Sequence, residues 1–456
     1  MAPILAASRA PLVARTLGAV VLAAVAVGLG WTVAEIHPLA PLALVVGVGV
    51  AVFGATHPFG LLLLFLAVLL TRPHDFYPAL RPLQLARLAA VGAMGLFVAG
   101  KVIRRDASIA DVRQQHWFLL LALGALVSAV LGTGRGWSIA FYKDVFVKLA
   151  ILYVLILNLV DSPRRASIFQ VAVALCTGYL GYFAFAAKLA GTADIEGSRA
   201  AFVGILGDPN DLALTLLMTI PFCYSAWRRS HGLARLFFFG LLFLHVAGLV
   251  ATQSRGGMLG LVAASYVLLK DRVQNKALVL TLVLGVGGVF LAAAGLSSRA
   301  TVSDNGIDAS AQGRLDAWKA AGQMFKSNPV WGVGIDMFAW QYPNFAPPEA
   351  WDRRPKETHN TYLKALAETG LMGAVPLFML LWLTWKGAGR LQALSRGPPA
   401  YEGLEAAVLE SQQANLTGVL VSAFFLSQCW TWFPYILIGF VSALQRIYLS
   451  DEEVQA

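Results

Sequence analysis

Charge is scarce in this chain. Of 456 residues, 35 are Lys or Arg and 25 are Asp or Glu, 13% in all, where a soluble globular protein carries roughly 25%. Hydrophobic residues make up 58% and the mean hydropathy is +0.67, more apolar surface than a water-soluble fold of this length hides. Cysteine is nearly missing. Cys176, Cys223 and Cys429 each lie inside an apolar segment, which excludes a disulfide framework and any cysteine-based metal spacing. No P-loop, His-Glu-x-x-His, Asp-x-Asp or Gly-x-Ser-x-Gly string occurs, and Gly332-Val-Gly334 departs from the dinucleotide pattern and reads as a turn. The net charge of +10 is not that of a nucleic-acid partner, because no basic stripe interleaved with aromatics accompanies it. It reads as topology: Lys and Arg gather in cytoplasmic loops.

What the chain does have is a near-continuous series of apolar runs. A spanning helix takes roughly 20 apolar residues, and candidates fall at 12–34, 39–55, 58–71, 83–99, 116–131, 145–160 and 166–189, then at 212–227, 236–252, 257–269, 277–296, 362–385, 416–430 and 434–448. The first run follows Arg9 and is longer than a signal-peptide core of roughly 7–15 residues, so it is expected to stay as a signal anchor. The expected fold is all-α, a polytopic transmembrane bundle of about 12–14 helices with one long periplasmic loop containing short helices. The division is 1–296 for the first helices, 297–361 for the loop, and 362–456 for the last helices and a short tail.

The basic connections alternate along the chain. Lys101-Val-Ile-Arg104-Arg105, Arg164-Arg165, Arg228-Arg229 with Arg235, and the 270–276 and 386–396 connections all belong on the cytoplasmic side by the positive-inside rule, as do both termini. The connections 72–87, 133–137, 191–210, 253–256 and 297–361 then face outward. Within the long loop, Leu315, Trp318, Gly322 and Phe325 recur at helical spacing, an apolar stripe for a surface or bundle-packed helix that Asn328-Pro329 ends.

Unusual residues collect on the outward side, against the charge rule. Arg199 and Asp208-Pro-Asn210-Asp211 share one connection, Ser254-Arg255-Gly256-Gly257 forms another, and Arg314 and Glu357-Thr-His359-Asn360 belong to the long loop. Taken singly, an interfacial Arg snorkels and a loop His is solvated. Taken together, several Arg suit the paired donors that grip phosphate oxygens, and the helix after Ser254 aims its free N–H groups at the same anion. Lys143 and Lys148 offer a second phosphate contact, with an Asp144–Lys148 ion pair as the plain alternative. His245, Lys188 and Glu368 lie near apolar runs, where such groups often pair internally. His359 is the candidate for proton transfer near neutrality. Outward carboxylates are scattered, so a metal site is not indicated, although Asp208 and Asp211 leave the question open.

At these residues the chain resembles the O-antigen ligase family, within the group that includes O-antigen polymerases and protein O-oligosaccharyltransferases. The resemblance covers 199–373 and rests on Arg199 followed by Gly207-Asp-Pro-Asn210, on Ser254-Arg255-Gly256, and on Gly313-Arg314…Trp318…Pro329-Val-Trp-Gly332-Val-Gly334. It closes with His359-Asn360-Thr-Tyr362-Leu and Glu368-Thr-Gly370-Leu-Met-Gly373. Before Arg199 only the series of helices corresponds, and Asp208, Lys143 and Lys148 are not carried over. The resemblance implies a bacterial inner-membrane glycosyltransferase with a periplasmic site and no cofactor or metal. It moves a glycan from undecaprenyl diphosphate to an acceptor such as lipid A-core, with inversion. It implies Arg199 and Arg255 as diphosphate clamps, His359 as base, and Arg314, Asn210 and Asn360 in glycan-binding or supporting roles. A polymerase or protein-glycosylating enzyme shares these residues and differs in acceptor; a lipid or polysaccharide transporter is the rival of another class.

Overall fold

A computed structural model describes residues 57–105, 110–193, 195, 198–202, 204–272, 275–277, 280–281, 284–285, 288, 309–350, 352–397 and 401–455. The expected spans at 12–34 and 39–55, and most of that at 277–296, lie outside the described residues. Among them the chain is all-α and has no strand; Ile195 and Arg199 make an isolated bridge. The leading helices are α1 (Pro58–Thr71), α2 (Leu85–Arg104), α3 (Arg113–Leu131), α4 (Val147–Leu159) and α5 (Pro163–Leu189). They are followed by α6 (Pro209–Leu217), α7 (Ile220–Arg229), α8 (Gly232–Thr252) and α9 (Arg255–Leu269). After the long loop's α10 (Ala309–Ser327) and α11 (Phe338–Phe345) come α12 (Thr361–Leu394), α13 (Gly403–Ala423) and α14 (Trp432–Tyr448). Among the described residues, five stretches are long and apolar enough to cross a bilayer: Leu80–Ile103, Arg113–Leu131, Pro163–Leu189, Gly232–Thr252 and Thr361–Leu394. The protein is a multi-pass membrane protein.

The helix pairs α9–α13, α3–α12, α5–α8 and α7–α13 carry much of the packing. Small residues set how close they come. A Cβ on Gly260 would lie 2.6 Å from the Gly418 carbonyl oxygen, and one on Gly181 2.5 Å from that of Leu244, as expected where helices associate by close backbone approach in lipid.

Three expectations need correction. The last-but-one helix begins at Gly403 and ends at Ala423, where the hydropathy placed a span at 416–430. Its first half is polar but buried: Glu410 is 2% exposed and takes Arg229 Nη2 at 2.5 Å and Arg272 Nη2 at 2.8 Å. The expected span at 212–227 is two helices broken at Met218 and Thr219, where Pro221 sits in the first turn of α7. His245 fills the break, its Nε2 2.9 Å from Thr219 Oγ1 and 2.8 Å from Thr177 Oγ1, with Nδ1 2.7 Å from the Leu241 carbonyl; it is a buried structural histidine. In α10 the buried face is Ala317, Ala320, Ala321 and Met324, while Leu315 is 41% exposed. Alanines let α10 lie close to α12, and the stripe turns by about a residue from the expected one.

Helix α12 is interrupted at Gly370, whose φ of 55° and ψ of −156° no L-residue adopts without strain. The segment after α10 docks into this break. Val333 and Gly334 donate N–H groups to the carbonyls of Ala367 and Glu368 at 2.9 and 3.0 Å, and Leu371 and Met372 donate to those of Pro329 and Val330 at 2.8 and 3.0 Å. A Cβ at Gly332 would stand 2.3 Å from the Glu368 carbonyl. Gly332-Val-Gly334 turns as expected, with the Gly332 N–H on the Asn328 carbonyl at 2.9 Å, and also forms a backbone clasp. It fixes the long loop to the bundle.

Candidate active site

One end of the bundle gathers ion pairs of the basic connections: Arg229 and Arg272 with Glu410, Arg396 with Asp271 and Arg165 with Asp161. The opposite end gathers the starts of α6, α9 and α12. Asp208 caps α6, its Oδ1 accepting the Asn210 backbone N–H at 2.7 Å and the Asn210 side-chain N–H at 2.8 Å. Ser254 caps α9, its Oγ accepting from Gly257 N at 3.2 Å. Asn360 caps α12 through Oδ1, which takes Tyr362 N and Leu363 N, each at 3.0 Å. Side-chain oxygens at the first position satisfy N–H groups that the helix leaves open.

These starts are tied to each other. Asn210 Oδ1 accepts Arg199 Nη2 and the Ser254 hydroxyl, both at 2.8 Å, while Arg199 Nε reaches the Thr252 carbonyl at 3.0 Å. Gln428, in the connection between α13 and α14, donates its side-chain N–H to Asp211 at 2.5 Å and its backbone N–H to the Thr361 hydroxyl oxygen at 2.9 Å. Each helix start carries a partial positive charge of about half a unit, so this end is a place where negative charge is stabilised. Arg199 is buried at 7% exposure, and Arg255, the first residue of α9, is exposed. The glycines after Arg255 serve packing more than turning: a Cβ on Gly257 would stand 2.7 Å from Ala213 Cβ, and one on Gly256 3.2 Å from Phe425.

His359 precedes the α12 cap with a φ of 47°, a left-handed conformation that costs a non-glycine residue about 1–2 kcal/mol. Its backbone N–H is held by Ser427 Oγ at 3.0 Å. Burial, and next the Arg314 guanidinium, hold the imidazole below its ordinary value; Asp208 and Glu357 pull the other way, and Lys364 reinforces the lowering. A neutral imidazole at neutral pH is the form that accepts a proton. Arg314 thus lies near enough to act on His359 from α10.

Beside His359 stands a charge cluster centred on Lys364, a residue that sequence reasoning missed. Lys364 is 4% exposed, and its Nζ lies 2.7 Å from Glu357, 3.6 Å from Glu368 and 3.8 Å from Asp336. Glu368 is fully buried and takes Phe338 N at 3.0 Å and Trp430 Nε1 at 2.6 Å. Glu368 pairs internally, as its place near an apolar run suggested; the sequence signal for Lys364 was its i, i+4 spacing from Glu368 in an apolar helix. Lys143 and Lys148 are exposed in and just after the π-turn Tyr142–Phe146 that leads into α4. Among the described residues, no hydrogen bond or ion pair joins them to this cluster, and none joins Asp144 to Lys148.

Between α9, α12 and α13 runs an apolar groove of about 580 Å³, lined by Leu259, Tyr266, Tyr362, Leu420, Phe424 and Phe425. Its rim meets the site, since Leu259 is one helical turn past Arg255 and Tyr362 follows the α12 cap. An anion-stabilising end, a neutral histidine and an apolar groove thus share one boundary. Residues 237–378 match the O-antigen ligase family model. Over that stretch the chain is similar to the O-antigen ligase family. No curated protein matches the chain. The O-antigen ligase match contains Arg255, Arg314, His359, Asn360 and the Gly332–Gly370 clasp, while Arg199 and Asn210 precede it and Ser427 and Gln428 follow it. Among the described residues, no group of three or more His, Cys, Asp or Glu side chains stands together as a metal cluster. Asp208 and Asp211 each already have a protein partner.

Proposed function

We propose that the protein transfers a glycan from undecaprenyl diphosphate to an acceptor hydroxyl, that of lipid A-core, at the periplasmic face of a bacterial inner membrane. The observation that carries this reading is the hydrogen-bonded joining of Arg199, Asn210 and Ser254 at the helix starts that also hold Arg255 and His359. In this account the polyprenyl chain lies in the apolar groove and the diphosphate meets Arg255, Arg199 and the helix starts. The acceptor hydroxyl attacks the anomeric carbon opposite the diphosphate. The carbon–oxygen bond to the diphosphate breaks, the leaving group takes the electron pair, and His359 takes the hydroxyl proton. Attack from the opposite face inverts the anomeric carbon. Fixed donors aimed at charge that grows on the leaving group are often the largest contribution to catalysis. Arg314 and Asn360 stand by the glycan, and Lys143 and Lys148 supply peripheral attraction for the anionic donor. The basic connections face the cytoplasm, as do both termini.

The test is a deletion strain examined by gel for surface glycans. Loss of core-linked polymer with intact lipid-linked polymer is expected. Accumulation of single repeat units would make the protein a polymerase, and an unchanged glycan profile with loss of protein glycosylation would make it an oligosaccharyltransferase.

A further inference from the structure

Ser427 links the parts of the site that carry the histidine. Its hydroxyl oxygen accepts the His359 backbone N–H at 3.0 Å and lies 3.1 Å from Thr358 Oγ1, and it adjoins the Glu357 carboxylate, which it helps to keep ionised. Glu357 is in turn anchored by Lys364 at 2.7 Å, and Lys364 is held in the bundle between Glu368 and Asp336. These contacts therefore run from the buried bundle to His359, whose backbone is left-handed.

We propose that Ser427 and Glu357, anchored on Lys364, form a latch that positions His359. Trp318 Nε1 holds the Thr358 carbonyl at 3.1 Å and the Thr361 hydroxyl donates to the Leu426 carbonyl at 2.6 Å, but the latch is the contact on the His359 backbone itself; without it His359 relaxes from its φ of 47°, and its imidazole swings away from the acceptor. Glu357 also sets the charge that faces the ring. The groups acting on it are Arg314 from α10, Asp208 from the α6 cap, Glu357 from its own segment and Lys364 from α12. Glu357 favours the imidazolium, so removing its charge makes the ring harder to protonate.

This inference rests on the reading of His359 as the base and is tested on full-length protein in lipid nanodiscs, with lipid-linked glycan and acceptor. Ser427→Ala removes one oxygen and is expected to lower kcat about 10-fold or more, with KM for the donor within about twofold. Ser427→Thr keeps the hydroxyl and restores kcat. Glu357→Gln is expected to move the acid limb of the kcat/KM profile to lower pH, whereas Lys364→Arg leaves that limb in place. Wild-type kcat in Ser427→Ala, or an unmoved acid limb in Glu357→Gln, overturns the latch. His359→Ala in the same preparation separates the two claims. If it is inactive while the latch variants behave as wild type, the latch alone is wrong; if it is fully active, the reading of His359 as base is wrong and the latch falls with it.

Discussion

Arg199 Nη2 and the Ser254 hydroxyl meet on one atom, Oδ1 of Asn210, each at 2.8 Å. Two connections, 191–210 and 253–256, are thereby fixed to each other by a single amide. Asn210→Ala leaves both donors without this acceptor, and a buried donor without its partner costs about 1–3 kcal/mol. Transfer is expected to fall about 10-fold or more with Arg199 itself intact, while Asn210→Asp, which keeps the oxygen, is expected to retain more activity. Initial rates of the two variants at matched protein levels check this.

Gly370 is expected to be the least replaceable glycine of α12. Gly370→Ala places a Cβ 2.5 Å from the Val330 backbone at a φ that favours glycine, a loss on the order of 2–4 kcal/mol. Thermal unfolding in detergent should show a clear drop in midpoint. Gly322→Ala, where a Cβ meets nothing within 4 Å, should leave the midpoint close to wild type.

Much of the architecture was legible because a bilayer imposes a simple rule on apolar length. The misplaced helix, α13, shows where that rule stops. Glu410, Ser411, Gln412, Gln413 and Asn415 are polar in sequence and buried in fact, and the Arg229 and Arg272 partners of Glu410 lie 181 and 138 residues away. Arg199, Arg255 and His359 stood out in sequence because cations and histidine are rare on the outward side. Lys364 did not, because its three carboxylates come from the loop and the helix together. The Gly332–Gly370 clasp was illegible for another reason: it is made of backbone groups, and no side-chain pattern announces it.

The orientation of the bundle follows from which end holds the Glu410 pairs. In a background lacking Cys176, the partly exposed native cysteine, a cysteine at Glu402 should resist a membrane-impermeant thiol reagent in intact spheroplasts. One at Asn344 should react. Both positions are exposed, so the reverse labelling would invert the bundle and remove the site from the periplasm.

Arg255 tests the electrostatic part. Arg255→Lys keeps the charge and loses the planar two-pronged grip, so transfer should fall strongly. Arg255→Ala should lose about 10²–10³-fold in kcat, the scale of one missing transition-state donor. Wild-type rates from both would make Arg255 an interfacial anchor. The reaction should also proceed in excess EDTA; restoration by a divalent ion would instead promote Asp208 and Asp211 to ligands.

The measurement closest to the central claim is the pH dependence and rate of transfer by His359 variants, with donor binding followed in parallel. Because burial and Arg314 hold the imidazole below its ordinary value, the acid limb of wild-type kcat/KM should lie below about pH 6.5, with activity lost as the ring protonates. His359→Ala should lose about 10²–10⁴-fold in rate and the acid limb with it, while lipid-linked donor still binds at the arginines. Full transfer by His359→Ala, or an acid limb that survives unchanged in it, would contradict the account.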